Sequence, residues 1–551
     1  MSKWVWFAGV CGAAFATANA GAQVRLDRAD PTIVQQSLPP VAVPPAQTET
    51  LLTVEQSPVE AAVSAVTTPV IQAVSVSGRT DIPAAAFADA IAAVVGRALT
   101  QAELVDLAGA IATVAKNEGY PLATAVVEAQ SVEHGILRVS LDTGKVDAVR
   151  VIGGKNALAD SILTRVLITG GATRRDDLER AILLVGDIPG LRVKESRFVR
   201  QDGFGILLVT IEDDRASGYL QIDNRGSDEV GPVRSTALAS FRGLAGPGDE
   251  LALIASNTPL QPSEFVFVRG RYSASIGSPG DVLSASASYG RSNPGGSLKP
   301  LNVVGESLDF AVNYSRPIMR SRARSLWASL EFRGLSIVQT VSGRPLRDDR
   351  LATLAATLTG SSAFASGTLR GELSAVVGLP FAGVTRAGDL LASRFDGDGR
   401  FVTGAYLVDW TRKLGEGFEI VLASAGQLAS RPLLATAEIG AGGPSFGRGY
   451  DYAERTGDQG ILGSAEVRAD IGRILPGAID RSQLYSFIDG GTVSNLNDGF
   501  GGGSLLSIGG GARLGTGRLD GMVEIALPLN ADRFDTGNRN PRISLRIARL
   551  F

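Results

Sequence analysis

Alternation of apolar and polar side chains dominates residues 216–551, and hardly any helical period interrupts it. The pattern is clear in 282–290 (VLSASASYG), 325–334 (SLWASLEFRG) and 461–470 (ILGSAEVRAD). A period of two sends successive side chains to opposite faces of a β-strand, and here the charges keep to one face. A barrel with lipid outside and water inside has such faces, whereas a soluble sandwich reverses them. The alternation alone does not tell which face lies inside.

The length of this region sets the size of the predicted barrel. At roughly 20 residues for a strand and its connection, residues 216–551 give about 16 antiparallel strands. A barrel of that size encloses an aqueous channel unless something plugs it. The last segment, 542–551 (RISLRIARLF), alternates and ends in the aromatic Phe551, which is typical of an outer-membrane barrel. Phe551 is therefore expected to act as the barrel-end signal, and a chain that merely happens to end in Phe is the alternative.

The first 22 residues have the layout of a secretory signal peptide. Lys3 precedes an apolar run, small residues stand at Ala18, Ala20 and Ala22, and cleavage is expected after Ala20 or Ala22. The only cysteine, Cys11, lies in this leader, which leaves a lipoprotein as an alternative, although the apolar run before Cys11 is very short. A chain without its leader then has no thiol for disulfides.

No later segment has the 18 or more apolar residues of a membrane helix, so a membrane-spanning chain needs a barrel. The leader, the lack of soluble-core helices in 216–551 and the number of segments favour the membrane.

Residues 23–72 are rich in Pro, Gln, Val and Thr, and no period of 2 or 3.6 persists in them. This composition predicts an extended linker. A short plug helix over residues 28–38 is an alternative, but Pro31 and the absence of an apolar face speak against it.

Two α+β modules in tandem are predicted over 73–145 and 146–214, because the order strand, helix, helix, strand, strand occurs twice. In the first module, Thr100 and Glu103 have the spacing of a capping box at the start of the second helix. The first helical segment, 83–96, has a single apolar stripe, which consists of Phe87, Ala90, Ile91, Val94 and Val95.

The residue inventory indicates neither a catalytic nor a metal site, and no cofactor. A formal charge of −3 gives no basic face for nucleic acid. The single histidine, His134, falls at a strand turn of the first module, which argues against Ser/His hydrolysis and His-ligated zinc. The glycine-rich stretch 501–511 lacks the Lys and Ser/Thr of a phosphate loop. A barrel hairpin is the better interpretation of that stretch.

Several stretches resemble the two-partner secretion transporters, the TpsB family of the superfamily that includes BamA. Residues 117–154 resemble the end of that family's first POTRA domain and the start of its second, and 178–193 (LERAILLVGDIPGLRV) resemble the second. Further stretches follow in the family's order over the barrel, and they are 222–234 (IDNRGSDEVGPVR), 246–251 (GPGDEL), 272–290, 441–452 (AGGPSFGRGYDY), 457–468 and 484–491 (LYSFIDGG).

The resemblance implies an extracellular loop that folds back into the barrel lumen. The arginine at the loop's tip is expected to pair with the aspartate of an F-x-D-G motif on a barrel strand, and the matching residues are Arg448, Gly449, Tyr450, Phe487, Asp489 and Gly490. A planar guanidinium fits a carboxylate in such a pair. Gly447 stands where the family more often has Val, so a more mobile tip is expected here.

The resemblance also implies an outer-membrane location, with the POTRA domains in the periplasm. The expected partners are a secreted, TpsA-like exoprotein bound by the POTRA domains, the lipid of the outer membrane, and the barrel assembly machinery that inserts the barrel. Secretion of an unfolded exoprotein through the barrel is the expected function. An insertase of other barrels, like BamA or TamA, is one alternative, and a passive porin with adaptor domains is another.

Overall fold

Two small α+β units precede a closed barrel in the computed structural model of the chain. The structure describes residues 52–55 and 68–551, apart from 79–80, 129, 131, 202, 476, 498 and 500. The predicted signal peptide, most of the predicted linker and the alternative plug helix 28–38 lie outside the described residues. In the described part, no helix is long and apolar enough to span a membrane.

The part before the barrel consists of short helices and two sheets. In chain order its elements are β1 Leu52–Glu55, β2 Ala73–Ser77, a 3-10 turn Ala84–Phe87, α1 Ala88–Ala92, α2 Gln101–Asn117, β3 Thr124–Val126, a 3-10 turn Glu133–Gly135, β4 Ile136–Asp142, β5 Ala148–Ile152, α3 Ala157–Leu167, α4 Arg175–Gly186, β6 Leu191–Gln201 and β7 Phe204–Asp213. The first sheet has the order β2-β4-β3, and the second has the order β1-β6-β7-β5.

The capping box is present at the start of α2. The Thr100 hydroxyl accepts a hydrogen bond from the Glu103 backbone N–H at 3.3 Å, and the Glu103 carboxylate accepts one from the Thr100 N–H at 2.8 Å. The bond from the Thr100 backbone, together with one of 3.0 Å from the Thr100 hydroxyl to the same carboxylate, lowers the pKa of Glu103. Two donors that the helix cannot satisfy itself are thus partnered, and α2 begins at the next residue.

The expected single helix over 83–96 is divided in the structure. It begins as the 3-10 turn and continues as the five-residue α1. Phe87 and Val94 are buried, whereas Val95 is 41% exposed, so the prediction that Val95 belongs to the apolar stripe is wrong. The helix ends at Ala92, so Val95 lies beyond it and the helical spacing no longer decides which way its side chain points.

One strand comes from the segment predicted to be an extended linker. Residues 52–55 form β1, which runs parallel to β6 and aligns Leu52 with Ser196 and Glu55 with Val199. A sheet edge presents unpaired backbone groups that an extended chain can satisfy without any side-chain pattern. The sequence period therefore gave no sign of this strand.

The barrel closes with sixteen antiparallel strands, as the length of the region predicted. The elements from β8 onward are β8 Ala216–Asp223, β9 Arg234–Arg242, β10 Glu250–Asn257, β11 Phe265–Ser275, β12 Val282–Ser292, β13 Val303–Arg320, β14 Arg324–Val341, β15 Arg344–Phe364, β16 Gly367–Gly378, β17 Val402–Gly415, β18 Phe418–Ala429, β19 Ile439–Ala441, β20 Arg455–Gly457, β21 Gln459–Asp470, β22 Arg481–Ser494, β23 Gly503–Thr516, β24 Leu519–Pro528 and β25 Arg542–Leu550. β19 and β20 form a separate two-stranded ribbon, and β25 pairs with β8 to complete the closure.

The two faces of the barrel wall answer the question that the alternation left open. On β13, Leu308 and Phe310 are 61% and 48% exposed, whereas Asp309 between them is 2% exposed. Apolar side chains thus cover the outside, and polar side chains line the interior. A soluble sandwich has the opposite arrangement, so the membrane barrel is confirmed.

The second α+β unit contacts the barrel through turns between strands. Arg320, at the end of β13, donates two hydrogen bonds of 2.7 Å to the two carboxylate oxygens of Asp187, which follows α4. The Glu179 carboxylate of α4 accepts a bond of 2.9 Å from the Arg322 backbone N–H. A bidentate guanidinium–carboxylate pair fixes orientation as well as distance.

We expect Asp187→Asn to loosen this contact. The amide keeps the shape of the side chain but loses the charge, so the paired guanidinium of Arg320 is left half satisfied. Backbone amide hydrogen exchange at residues 183–187 and 320–324 should quicken on the order of tenfold. Glu212→Gln is the control, because its ion pair with Lys194 has both side chains 55% exposed. Equal exchange in the wild type and Asp187→Asn would show that the contact is held by other residues.

Candidate functional site

The loop between β18 and β21, residues 430–458, enters the interior of the barrel, and we call it the lumen loop. Its β19–β20 ribbon aligns Ile439 with Gly457 and Ala441 with Arg455. The segment between the two strands carries Arg448. Gly447 adopts φ +86°, which lets the chain turn just before the arginine.

The Arg448 guanidinium lies among three carboxylates from three barrel strands. Its Nη1 is 2.6 Å from Glu466 Oε2 and 3.5 Å from Glu524 Oε2, and its Nε is 3.0 Å from Asp489 Oδ2. Arg448 is 8% exposed, and the three acids are 2 or 3% exposed. We call these four residues the lumen cluster.

Asp489 also holds the backbone of the loop. Its Oδ1 accepts a 3.1 Å hydrogen bond from the Arg448 N–H and a short one from the Ser507 hydroxyl. The contact between Arg448 Nε and Asp489 Oδ2 has the distance of an ion pair but not the angle of a hydrogen bond. Asp489 therefore positions the tip by charge and by the backbone bond together.

Further cations balance the two glutamates. Glu466 accepts hydrogen bonds from Arg468 at 2.6 Å and Arg513 at 2.9 Å. Glu524 accepts one of 2.6 Å from Arg225 and one of 2.9 Å from the Tyr485 hydroxyl. Buried charges are stable only when they are paired and hydrogen-bonded, and each acid of the cluster meets that condition.

An aromatic ring completes the surroundings of Arg448. Its guanidinium carbon lies 3.9 Å from the centre of the Phe487 ring. The ring face attracts the cation and excludes water from one side of it. Phe487 and Asp489 thus contact the same guanidinium, because both side chains point into the lumen from β22.

The two residues that follow Arg448 pack against β23 and β24. The Gly449 N–H donates to Ser507 Oγ at 3.2 Å, and an added Cβ would lie 3.0 Å from Ser507 Cβ and 3.1 Å from the Pro528 nitrogen. Tyr450 is 1% exposed, and its hydroxyl lies 3.1 Å from Asn530 Oδ1 and 3.2 Å from the Leu506 carbonyl oxygen. Both distances are shorter than ordinary van der Waals contact, so glycine suits this close approach of the loop to the wall.

The other two predicted site residues lie on the barrel wall. Gly490 aligns with Gly463 of β21 and Leu506 of β23. Phe551 follows β25, its N–H donates to the Gly218 carbonyl at 2.9 Å, and its ring lies 5.0 Å from the guanidinium carbon of Arg549.

Sequence reasoning did not single out Glu466, Glu524 or Ser507. A signal for Glu466 was present, since the alternation in 461–470 already puts it on the polar face. Glu524 likewise stands between the outward Val523 and Ile525, which are 46% and 49% exposed. The sequence does not give the register between neighbouring strands. That register sets the height of each polar side chain in the barrel and so decides which of them meet Arg448.

Among the residues that the structure describes, no group of three or more His, Cys, Asp or Glu is placed to hold a metal ion. The predicted turn at His134 is present, with a backbone φ of +57° in the Glu133–Gly135 turn.

Comparison with known proteins places this geometry in a family. Residues 205–514 match the model of the haemolysin secretion/activation protein ShlB/FhaC/HecB, and residues 70–144 match that of the ShlB-type POTRA domain. The heme/hemopexin transporter protein HuxB of Haemophilus influenzae strain 86-028NP is 25% identical over 384 residues, which are 68% of this chain and 67% of HuxB.

Solved structures share the whole fold. CdiB from Escherichia coli superposes with a TM-score of 0.70 at 16% identity, over 97% of this chain and 98% of that one. CdiB from Acinetobacter baumannii gives a TM-score of 0.63 at 17% identity, over 97% and 99%. The family model spans more than half of the chain, and the closed barrel and POTRA match agree with it. The chain therefore belongs to the haemolysin secretion/activation family ShlB/FhaC/HecB and is a two-partner secretion transporter of the outer membrane.

Proposed function

We propose that this transporter exports one dedicated, unfolded exoprotein through its lumen. The observation that best supports this proposal is a closed, polar-lined barrel whose interior holds a loop anchored by buried charges. Residues 73–145 and 146–214 act as two POTRA domains that take up the exoprotein in the periplasm, and residues 216–551 form the conducting barrel. The transport involves no catalytic step by the chain.

Strand addition is the mode of capture that we propose for the POTRA domains. In the described sheets, β3 stands at an edge of the first and β5 at an edge of the second, while β1 covers the edge at β6. An exposed edge offers backbone hydrogen bonds to an extended segment of any sequence. An unfolded exoprotein supplies such a segment. Cargo of the kind named for HuxB, a heme- or hemopexin-related protein, is one candidate.

The barrel has two further partners in this proposal. Outer-membrane lipid covers the apolar band exemplified by Leu308 and Phe310. The barrel assembly machinery inserts the chain, with Phe551 as the aromatic signal at the end of the last strand.

The export function is tested by comparing the proteins that cells with and without this chain release into the medium. We expect one large protein to disappear from the medium while the outer-membrane protein profile stays unchanged. Re-expression of the chain should restore that protein, which is the control. A general fall in outer-membrane barrels would instead identify an insertase, and unchanged secretion with altered solute uptake would identify a porin.

The lumen cluster serves, in this proposal, as the lock that keeps the lumen loop in place. Within the lumen the charges are shielded from bulk water, so the Arg448 pairs hold the loop more firmly than an exposed pair, which contributes about 0 to 1 kcal/mol. Export requires the loop either to move aside or to guide the exoprotein past it. The lock, which fixes the position of the loop, therefore decides whether the barrel is competent for transport.

Arg448→Gln and Asp489→Asn should each reduce secretion on the order of tenfold while the barrel still assembles. Removing one partner of a buried pair costs about 3–5 kcal/mol when the other charge is left unpaired. The cost here is smaller, because Glu466 and Glu524 keep other arginines and Arg448 keeps the two glutamates when Asp489 is replaced. Secretion is measured as exoprotein in the medium, and assembly is measured as the heat-dependent mobility shift of the barrel. Arg481→Gln is the control, since its pair with Asp520 has side chains 56% and 44% exposed. Normal secretion by both lumen variants would remove the lock from the proposal.

Gly449→Ala tests the position of the tip without changing any charge. The new Cβ would crowd Ser507 Cβ at 3.0 Å and the Pro528 nitrogen at 3.1 Å, and such overpacking costs about 1–3 kcal/mol. We expect secretion to fall on the order of tenfold. Gly404→Ala in β17 should secrete normally, because no atom lies within 4 Å of its added Cβ. If Gly449→Ala also secretes normally, the tip need not sit where the structure has it.

A further inference from the structure

The barrel closes through its shortest strand pairing. Between β25 and β8 only five residue pairs align, from Arg546 with Asp223 to Leu550 with Tyr219. Both flanking pairings, β8 with β9 and β24 with β25, align eight residues each. The backbone ladder at this junction, which we call the seam, is thus the weakest part of the closed wall.

A side chain extends the ladder above the five pairs. The Asn224 amide donates to the Ile543 carbonyl at 3.0 Å, and its oxygen accepts from the Leu545 N–H at 2.7 Å. The backbone N–H of Asn224 still reaches the Leu545 carbonyl at 3.2 Å. Beyond Asn224, the chain that continues from β8 leaves the wall.

Two buried ion pairs lie at this upper part of the seam on the lumen side, and the first of them crosses it. Arg225, just beyond β8, pairs with Glu524 of β24 at 2.6 Å and so reaches over β25. Arg542, the first residue of β25, pairs closely with Asp451 of the lumen loop and donates to the Gly226 carbonyl at 3.4 Å. The side chains of all four charged residues are 2 to 15% exposed.

We propose that the lumen loop holds the seam closed. Two positioning residues act in this, Asp451 in the loop and Arg225 in the chain that follows β8. Asp451 stands three residues after Arg448, so the loop that the lumen cluster anchors also neutralises the cation at the start of the last strand. Arg225 connects the first strand to Glu524, which contacts Arg448 as well. The side-chain contacts supply the cohesion that the short ladder lacks. This role concerns the barrel alone and goes beyond the export function.

The test combines Asp451→Asn with disulfides placed on the outer wall. Ile222 and Ile547 align across the seam, and Leu330 and Ala356 align between β14 and β15, so cysteine pairs at these positions give a seam disulfide and a control disulfide. The readout is the temperature at which the purified barrel changes from folded to unfolded mobility in detergent gels, in oxidising buffer. No cargo is involved, so this outcome is separate from that of the export test.

Asp451→Asn should lower the conversion temperature by about 5 °C or more. The seam disulfide should restore it, and the control disulfide should not. Asp532→Asn is the matched charge control, because its pair with Arg539 is more than half exposed and lies in the loop before β25. If Asp451→Asn does not assemble, Arg225→Gln is measured in the same way.

Three results would overturn the proposal. Wild-type conversion temperatures in both Asp451→Asn and Arg225→Gln would mean that the pairs do not hold the seam. Equal rescue by the two disulfides would mean that the loop stabilises the barrel as a whole. If neither disulfide restores the conversion temperature, the part destabilised by Asp451→Asn is not the barrel wall.

Discussion

A strand in a bilayer must satisfy its backbone groups on both sides, because hydrocarbon supplies no hydrogen-bond partner. Sixteen strands meet this constraint by closing on themselves, and the closure dictates the two faces of the wall. Lipid demands apolar side chains outside, as at Leu308, and the wide interior demands polar ones, as at Asp309. The lumen loop and the charges that anchor it are responses to an interior that is wide and polar.

A loop can fill such an interior only if it brings charge of the right sign. The barrel wall supplies three acids from three different strands around one point, and the lumen loop supplies Arg448. Glu466 and Glu524 remain paired with other arginines, so the acids are satisfied by the wall as well as by the loop. Because the glutamates are shared, Arg448 loses its carboxylate partners when the loop leaves the wall, whereas each glutamate keeps another arginine.

The alternation of side chains predicted the strands, because a period of two is a property of the chain itself. The length of the region gave their number, and the leader, the lack of soluble-core helices and the number of segments favoured a membrane barrel. The capping box at Thr100 was readable for the same reason, since both partners lie within four residues. Val95 was misplaced because the helix ends at Ala92, whereas the apolar pattern continues past that end. β1 was missed because an edge strand can be held by backbone bonds alone. Arg448 and Asp489 were paired only through a family resemblance, and Glu466 and Glu524 required the register of four strands.

The lumen cluster and the seam share one residue, and this has consequences for how the loop can move. Glu524 contacts Arg448 on one side and Arg225 on the other, so withdrawal of Arg448 leaves Glu524 paired with Arg225 and Tyr485. The pair of Asp451 with Arg542 differs, because Asp451 moves with the loop and its withdrawal leaves Arg542 with the Gly226 carbonyl among the contacts described above. A small shift of the tip can therefore release Arg448 while the wall stays closed. Complete withdrawal of the loop removes a counter-charge from the last strand, so the barrel opposes it more strongly than it opposes the shift.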